Sequence, residues 1–172
     1  MNNQMKIGLI IVSAILLIVC IKAIVTELPQ EIKSKEQIKY NSTAIQTYLY
    51  IEGMKSPRVD VIDNLQQLYD YAYTFSDNEL DLQFKKYTNS YFEDNILLIV
   101  TIQEGSSSIT NSVAGIEKTN GKTINIKTNR KVPQTGDTVM AMSHLVIELD
   151  SKYMKNIEKV LVNKKQVDVY YN

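Results

Sequence analysis

The apolar positions of this chain change rhythm once, close to residue 26. Ahead of that point, residues 7–25 form a nearly unbroken apolar stretch, IGLIIVSAILLIVCI followed by KAIV. Its length is close to the roughly 20 residues that cross a bilayer as a helix. Lys22 lies near one end, where its stem reaches the head groups and its charge stays out of hydrocarbon. The pattern predicts a short polar head at residues 1–6, an N-terminal transmembrane helix at residues 7–25, a charged stalk at residues 26–43 and a single globular domain at residues 44–172. A cleaved secretory signal is the competing reading of the same stretch, but the small-residue cleavage pattern is missing. Lipid attachment at Cys20 is a third, and there Val19 stands where a bacterial lipoprotein signal needs a small residue.

Behind the anchor the apolar residues alternate. Residues 26–40 are charged, carry Pro29 and offer little to pack, so they read as a stalk or the run-in to a first strand. Residues 44–51 (AIQTYLYI) alternate with aromatic and β-branched side chains, as a strand does. Residues 59–62 suggest a short strand. A helix follows, with Asp63 as its cap, Gln66 at the capping-box position, and Leu65, Leu68, Tyr69 and Ala72 at helical spacing. SDNELD, residues 76–81, reads as an exposed polar loop. Residues 96–102 (ILLIVTI) are continuously apolar, which predicts a central strand covered on both faces.

Strands are then expected over residues 109–118 and 123–128, joined by Asn120-Gly121, a pair suited to a tight hairpin turn. Residues 139–150 form another, with Leu145, Ile147 and Leu149 at period two giving it one buried face. Residues 160–162 and 167–170 are expected to close the sheet as a final hairpin. The fold class is therefore α+β and mainly β: an antiparallel, sandwich-like domain with one short helix, preceded by the transmembrane helix.

Composition narrows the function classes. Lys plus Arg and Asp plus Glu each number 19; setting aside Lys6 and Lys22 of the anchor region leaves 17 against 19 and a net charge near −2. That balance offers nucleic acid no electrostatic footprint. With no Trp and only three Phe, a stacking platform for bases or sugars is not evident. The positive charges flanking the anchor, Lys6 and the N-terminal amine against Lys33, Lys35 and Lys39, lean slightly against an external domain. A short polar head before a signal-like apolar core is nevertheless the layout of a signal anchor. The expected location is the cell membrane, single-pass, with the domain on the extracytoplasmic side. The lone Cys20 leaves the domain without disulfides.

Reactive chemistry is sparse. His144 is the only histidine, so a zinc site built on paired histidines is excluded. SDNELD lacks the turn glycine of a calcium loop. GIEKTNGKT, residues 115–123, resembles a phosphate-binding loop, but five residues separate its glycines where four are required, and the segment spans a hairpin. Ser106, Ser107 and Ser108 could join His144 and an acid in a triad, yet no G-x-S-x-G elbow marks a nucleophile. Glu148 and Asp150 could form an acid pair, and alternating solvated positions on a strand explain them equally well. No cofactor and no metal site is expected.

Several segments together carry a resemblance: Tyr91-Phe92-Glu93-Asp94-Asn95 ahead of the apolar strand, Glu104-Gly105-Ser106-Ser107-Ser108 after it, and Met140-Ala141-Met142-Ser143-His144 running into Ile147-Glu148-Leu149-Asp150. Over roughly residues 57–155 the chain resembles a family of uncharacterised Gram-positive membrane proteins and lipoproteins. That family is in turn distantly similar to the PrcB-type domain of a surface protease complex. Ser143 stands where relatives carry an aromatic. The resemblance implies an extracytoplasmic, mainly β domain that supports or docks with another protein, and it implies no reaction.

Two function classes follow. One is a non-catalytic binding or accessory module, tethered to the membrane through residues 7–25 and docking to a protein partner, with no role in nucleic-acid binding. Its candidate contacts are Ser106, Ser107, Ser108, Met142, Ser143 and His144, because small polar loops and an exposed Met beside a rigid strand suit recognition. Ordinary loop and strand-edge chemistry also accounts for them. The other class is a hydrolase using His144 as base. A sensor of small extracellular ligands stands beside these two.

Overall fold

The computed structural model describes residues 35–171, and the expected transmembrane helix at residues 7–25 lies outside them. Among the described residues no helix is long and apolar enough to cross a membrane. The chain runs β1 (Lys35–Gln37), β2 (Asn41–Thr47), β3 (Arg58–Ile62), α1 (Leu65–Phe75), α2 (Asn78–Phe84) and a 3₁₀ turn at Asn89–Glu93. It continues through β4 (Asn95–Glu104), β5 (Thr110–Thr119), β6 (Thr123–Lys131) and β7 (Ala141–Asp150). A 3₁₀ turn at Ser151–Met154 then leads to β8 (Lys159–Val162), β9 (Lys165–Gln166) and β10 (Asp168–Tyr171).

The strands form two five-stranded sheets, an outer one ordered β1-β5-β6-β8-β9 and a central one ordered β10-β3-β4-β7-β2. The apolar run 96–102 lies in β4, the middle strand of the central sheet, and both its faces are covered as expected. Ile96, Leu98 and Val100 join Ile116, Ile124 and Ile126 of the outer sheet in one core. Leu97 and Ile99 join Leu68, Phe75, Leu80 and Phe84 of the two helices in a second. The mainly β character with helices segregated to one side follows from this layering.

Several expectations are corrected. β7 is buried on both faces, because Met142, His144 and Val146 pack under the helices while Leu145, Ile147 and Leu149 enter the inter-sheet core. SDNELD is not a loop: Asp77 caps α2 by accepting from the Glu79 amide at 2.8 Å, and Leu80 and Phe84, four apart, bury one face. The cap of α1 is Asn64, which accepts from the Gln67 amide at 3.0 Å, one residue later than Asp63 and Gln66 suggested. β2 ends at Thr47, so Tyr48 and Tyr50 lie in a loop.

The sheets are mixed, since β8 runs parallel to β6 and β10 parallel to β3. The final hairpin is therefore between β8 and β9, turning at Asn163-Lys164 with φ of 51° and 67°, and β10 crosses to the other sheet. The other tight turn falls where the dipeptide signal put it: Asn120 and Gly121 have φ of 56° and 67°, and the Lys122 amide reaches the Thr119 carbonyl at 3.2 Å. β1 and the start of β2 fall within the stretch expected to be stalk.

Candidate functional site

The six expected contact residues separate into two groups with different fates. Met142, Ser143 and His144 are on β7 and are buried, at 0 %, 4 % and 0 % exposure. His144 Nδ1 lies 2.6 Å from the Tyr71 hydroxyl, Nε2 lies 3.0 Å from Thr47 Oγ1, and Tyr71 also meets Thr101 Oγ1 at 2.7 Å. Phe75 stacks edge-on against the imidazole with ring centroids 4.9 Å apart. Desolvation lowers the pKa of His144 to about 4, against a small opposing pull from Asp77. At neutral pH the ring is uncharged, with one nitrogen donating and the other accepting, and two internal hydroxyls occupy both. The expectation of His144 as a surface contact is thus corrected: helix α1 covers it.

Ser143 is held in a second buried network. Asn111 Nδ2 donates to Ser143 Oγ at 3.1 Å and to Glu104 Oε1 at 2.9 Å. Arg130 completes it with a forked contact to Glu104, Nε to Oε1 at 2.9 Å and the terminal nitrogen to Oε2 at 2.8 Å. Desolvation pushes the Glu104 carboxyl upward, but hydrogen bonds from Arg130 and Asn111 outweigh it and the net shift is down.

Ser106, Ser107 and Ser108 sit on the β4–β5 loop, half-buried, and converge on one carboxylate, that of Asp137 in the β6–β7 loop. Ser106 Oγ, Ser107 Oγ and Ser108 Oγ donate to it at 3.1, 2.5 and 3.0 Å, and the Ser107 amide at 2.9 Å. These donors, Ser107 foremost, lower the Asp137 pKa to about 2. Gly136 lets the loops close, since a Cβ there would lie 3.0 Å from Ser106 Oγ. Every serine hydroxyl of the trio donates to Asp137, and both nitrogens of His144 are taken by Thr47 and Tyr71, so His144 and these serines are not joined as a triad. Asp137 carried no signal in the sequence, because only the fold brings PQTGD beside SSS.

Three loops meet at this end of the sheets. Register sets it: Glu104 pairs Ala141, Thr47 pairs Met142 and Arg58 pairs Thr101, so the β2–β3, β4–β5 and β6–β7 loops leave together. Gln46 Nε2 donates to the Ser107 carbonyl at 2.7 Å, and Gln103 ties down the β2–β3 loop by accepting from the Ile51 amide at 2.9 Å. On these pinned loops Tyr48, Tyr50, Val132, Val139 and Met140 are exposed, Tyr48 by 72 %. The exposed methionine expected at 142 is Met140, two residues earlier, just before β7 begins.

A second exposed apolar group, Tyr69, Tyr73 and Leu82, lies on the helices beside an open groove of about 630 Å³ floored by Ala72 and Phe84. Glu148, one of the two acids that could pair, accepts from Lys86 and Tyr87, each at 2.8 Å, and Asp150 caps the 3₁₀ turn through the Lys152 amide at 2.9 Å. Among the described residues no group of three His, Cys, Asp or Glu is placed to hold a metal ion. Comparison with protein-family models, curated proteins and solved structures finds no match.

Proposed function

We propose that the body formed by residues 35–171 is a non-catalytic binding module, tethered at the membrane through residues 7–25 on the extracytoplasmic side, that docks a protein partner with its three-loop end. The observation that carries this reading is the five large apolar side chains, Tyr48, Tyr50, Val132, Val139 and Met140, exposed on loops held by hydrogen bonds. Rigid loops presenting aromatic and thioether groups lose little entropy on docking. The resemblance to a family of uncharacterised membrane proteins and lipoproteins, itself distantly similar to PrcB-type domains, points the same way, toward an accessory role beside another surface protein. Tethering would raise the effective concentration of the module toward such a neighbour.

The hydrolase alternative needs His144 as base, and a buried imidazole with both nitrogens occupied gives it little support. A small-ligand sensor draws on one observation, the groove of about 630 Å³ between Tyr69 and Lys85.

The test is photo-cross-linking in intact membranes from a reactive residue introduced at Met140 or Tyr48, with Tyr73 as the comparison. A single protein captured from Met140 and Tyr48 but not Tyr73 is the expected result. Capture from Tyr73 alone would move the site to the helices, and substrate turnover abolished by His144→Ala would replace the module with an enzyme.

A further inference from the structure

The near-neutral balance of the sequence hides a separation of charge across the layers of the body. The outer sheet with its connections, residues 35–40, 110–131 and 151–166, carries 12 Lys or Arg and 3 Glu, a net +9 that falls to +7 once Glu104 and Asp150, the central-sheet partners of Arg130 and Lys152, are counted with them. The helical layer, residues 63–94, carries 7 Asp or Glu and 2 Lys, a net −5. Two opposed layers of this size create a dipole that orients the molecule in any external field.

Strand alternation resolves the basic layer further. Ile116, Ile124, Ile126, Val160 and Val162 point into the inter-sheet core. Their neighbours therefore face out, and two rows of paired residues cross that face. Lys35, Thr119, Thr123 and Lys159 span four strands, and Gln37, Glu117, Asn125, Leu161 and Gln166 span five. Lys127 stands beside the second row and neutralises Glu117, which also accepts a hydrogen bond from Gln37. Exposed Lys155, Lys164 and Lys165 extend the charge along the rim. Glu117 and Asn125, in the middle of the second row, are themselves nearly covered, at 9 % and 6 % exposure, so what the face offers is the lysine charge around them.

We infer that the outer face of this sheet rests on an anionic lipid bilayer, through the phosphate groups of its lipids. This rests on the anchor reading for its choice of occupant. Only nine residues, 26–34, separate the end of the apolar stretch from Lys35. Fully extended they span at most about 30 Å. Lys35 opens β1, an edge strand of the basic sheet, so the tether leaves from that layer. A lysine near an anionic surface contributes on the order of 1 kcal/mol, and the contribution fades within a Debye length, so a short tether and a basic face act together. The acidic helical layer is then held outward, which leaves the groove on α1 and α2 open to solvent.

The test uses the full chain with Cys20→Ser and one dye-labelled cysteine, at Gln166→Cys on the basic face or at Thr74→Cys on the helices. Each is reconstituted in nanodiscs of phosphatidylcholine alone or mixed with phosphatidylglycerol, with a quencher on the lipid head groups. The expected result is quenching at position 166 several-fold stronger in the anionic discs, none gained at position 74, and reversal by 0.5 M salt. Lys35→Gln, Lys127→Gln and Lys159→Gln together should remove the lipid dependence, as about a 100-fold loss of surface affinity predicts.

Equal quenching in both lipids, or gain at position 74, overturns the proposal. So does tight binding of soluble polyphosphate with no lipid-dependent quenching, which would make the occupant a polyanion in solution. Alkaline extraction reads the anchor separately. If the chain is extracted, the anchor reading fails, while flotation with phosphatidylglycerol vesicles that the three substitutions abolish would still support the basic face.

Discussion

The Tyr71 hydroxyl meets His144 Nδ1 at 2.6 Å and Thr101 Oγ1 at 2.7 Å, joining helix α1 to the neighbouring strands β7 and β4 of the central sheet. One phenol thus satisfies two buried polar groups. Tyr71→Phe leaves both without their partner in a site closed to water, at a cost of about 1–3 kcal/mol. A urea unfolding curve of the variant should shift to lower midpoint with an unchanged slope. A loss no larger than that of an exposed Tyr69→Phe control would contradict it.

Acid should act on the same site. The imidazole titrates near 6.5 when unfolded and at about 4 when folded, so the unfolded chain binds the proton first. Stability from the neutral ring is complete above pH 6.5 and is lost as pH falls toward 4. Between pH 6.5 and 5 the loss is about 1.5 kcal/mol, before most carboxylates titrate. Unfolding free energies at those two pH values, in wild type and in His144→Gln, check it. The variant should be less stable at pH 7 and nearly flat across that interval.

Asp137 governs the loops. Asp137→Asn replaces an acceptor-only carboxylate with an amide that accepts through one oxygen, so the convergence of Ser106, Ser107 and Ser108 is broken. Amide exchange at Ser107 and Val139 should accelerate roughly tenfold, while the thermal midpoint barely moves. Since the folded carboxyl titrates at about 2 against an ordinary 3.8, the clamp is complete above pH 3.8 and released as pH falls through 2. Exchange rates unaltered by the substitution would show that the loops are ordered by other contacts.

Arg130 holds Glu104 by a fork that a lysine cannot reproduce. Both Arg130→Lys and Arg130→Ala should lower the urea midpoint, alanine more, because the buried carboxylate keeps only Asn111. Glu104→Gln combined with Arg130→Ala should recover part of the loss, as removing the charge removes the need for its partner. A double variant no better than Arg130→Ala would refute that coupling.

The elements set by local chemistry were legible in the chain: the continuous apolar run of β4, the Asn120-Gly121 turn, and the capped helix after β3. What the chain concealed was set by long-range pairing. Residues 167–170 read as the return arm of a hairpin because hairpins close locally. Yet β10 finds β3, more than a hundred residues earlier, and Arg58 lies over the Tyr170 ring at 4.0 Å. The helical propensity of NELDLQF was outweighed in the sequence by its Asp and Asn, although Leu80 and Phe84 carried the spacing. For the site, the serines were visible as a cluster but their partner Asp137 was not. The second buried face of β7 was written in Met142 and Val146, with His144, the one polar member, obscuring it.

β4 is greasy on both sides, so water exclusion alone would accept it slid along its neighbours by a residue. Thr101 forbids this. It is the only polar side chain in residues 96–102, and it stands directly across from His144. Displaced by one position, Val100 would face the imidazole and the hydroxyl would be stranded among isoleucines. A single oxygen atom therefore works as the key that fixes how the middle of the central sheet is aligned, and with it which residues arrive at the three-loop end.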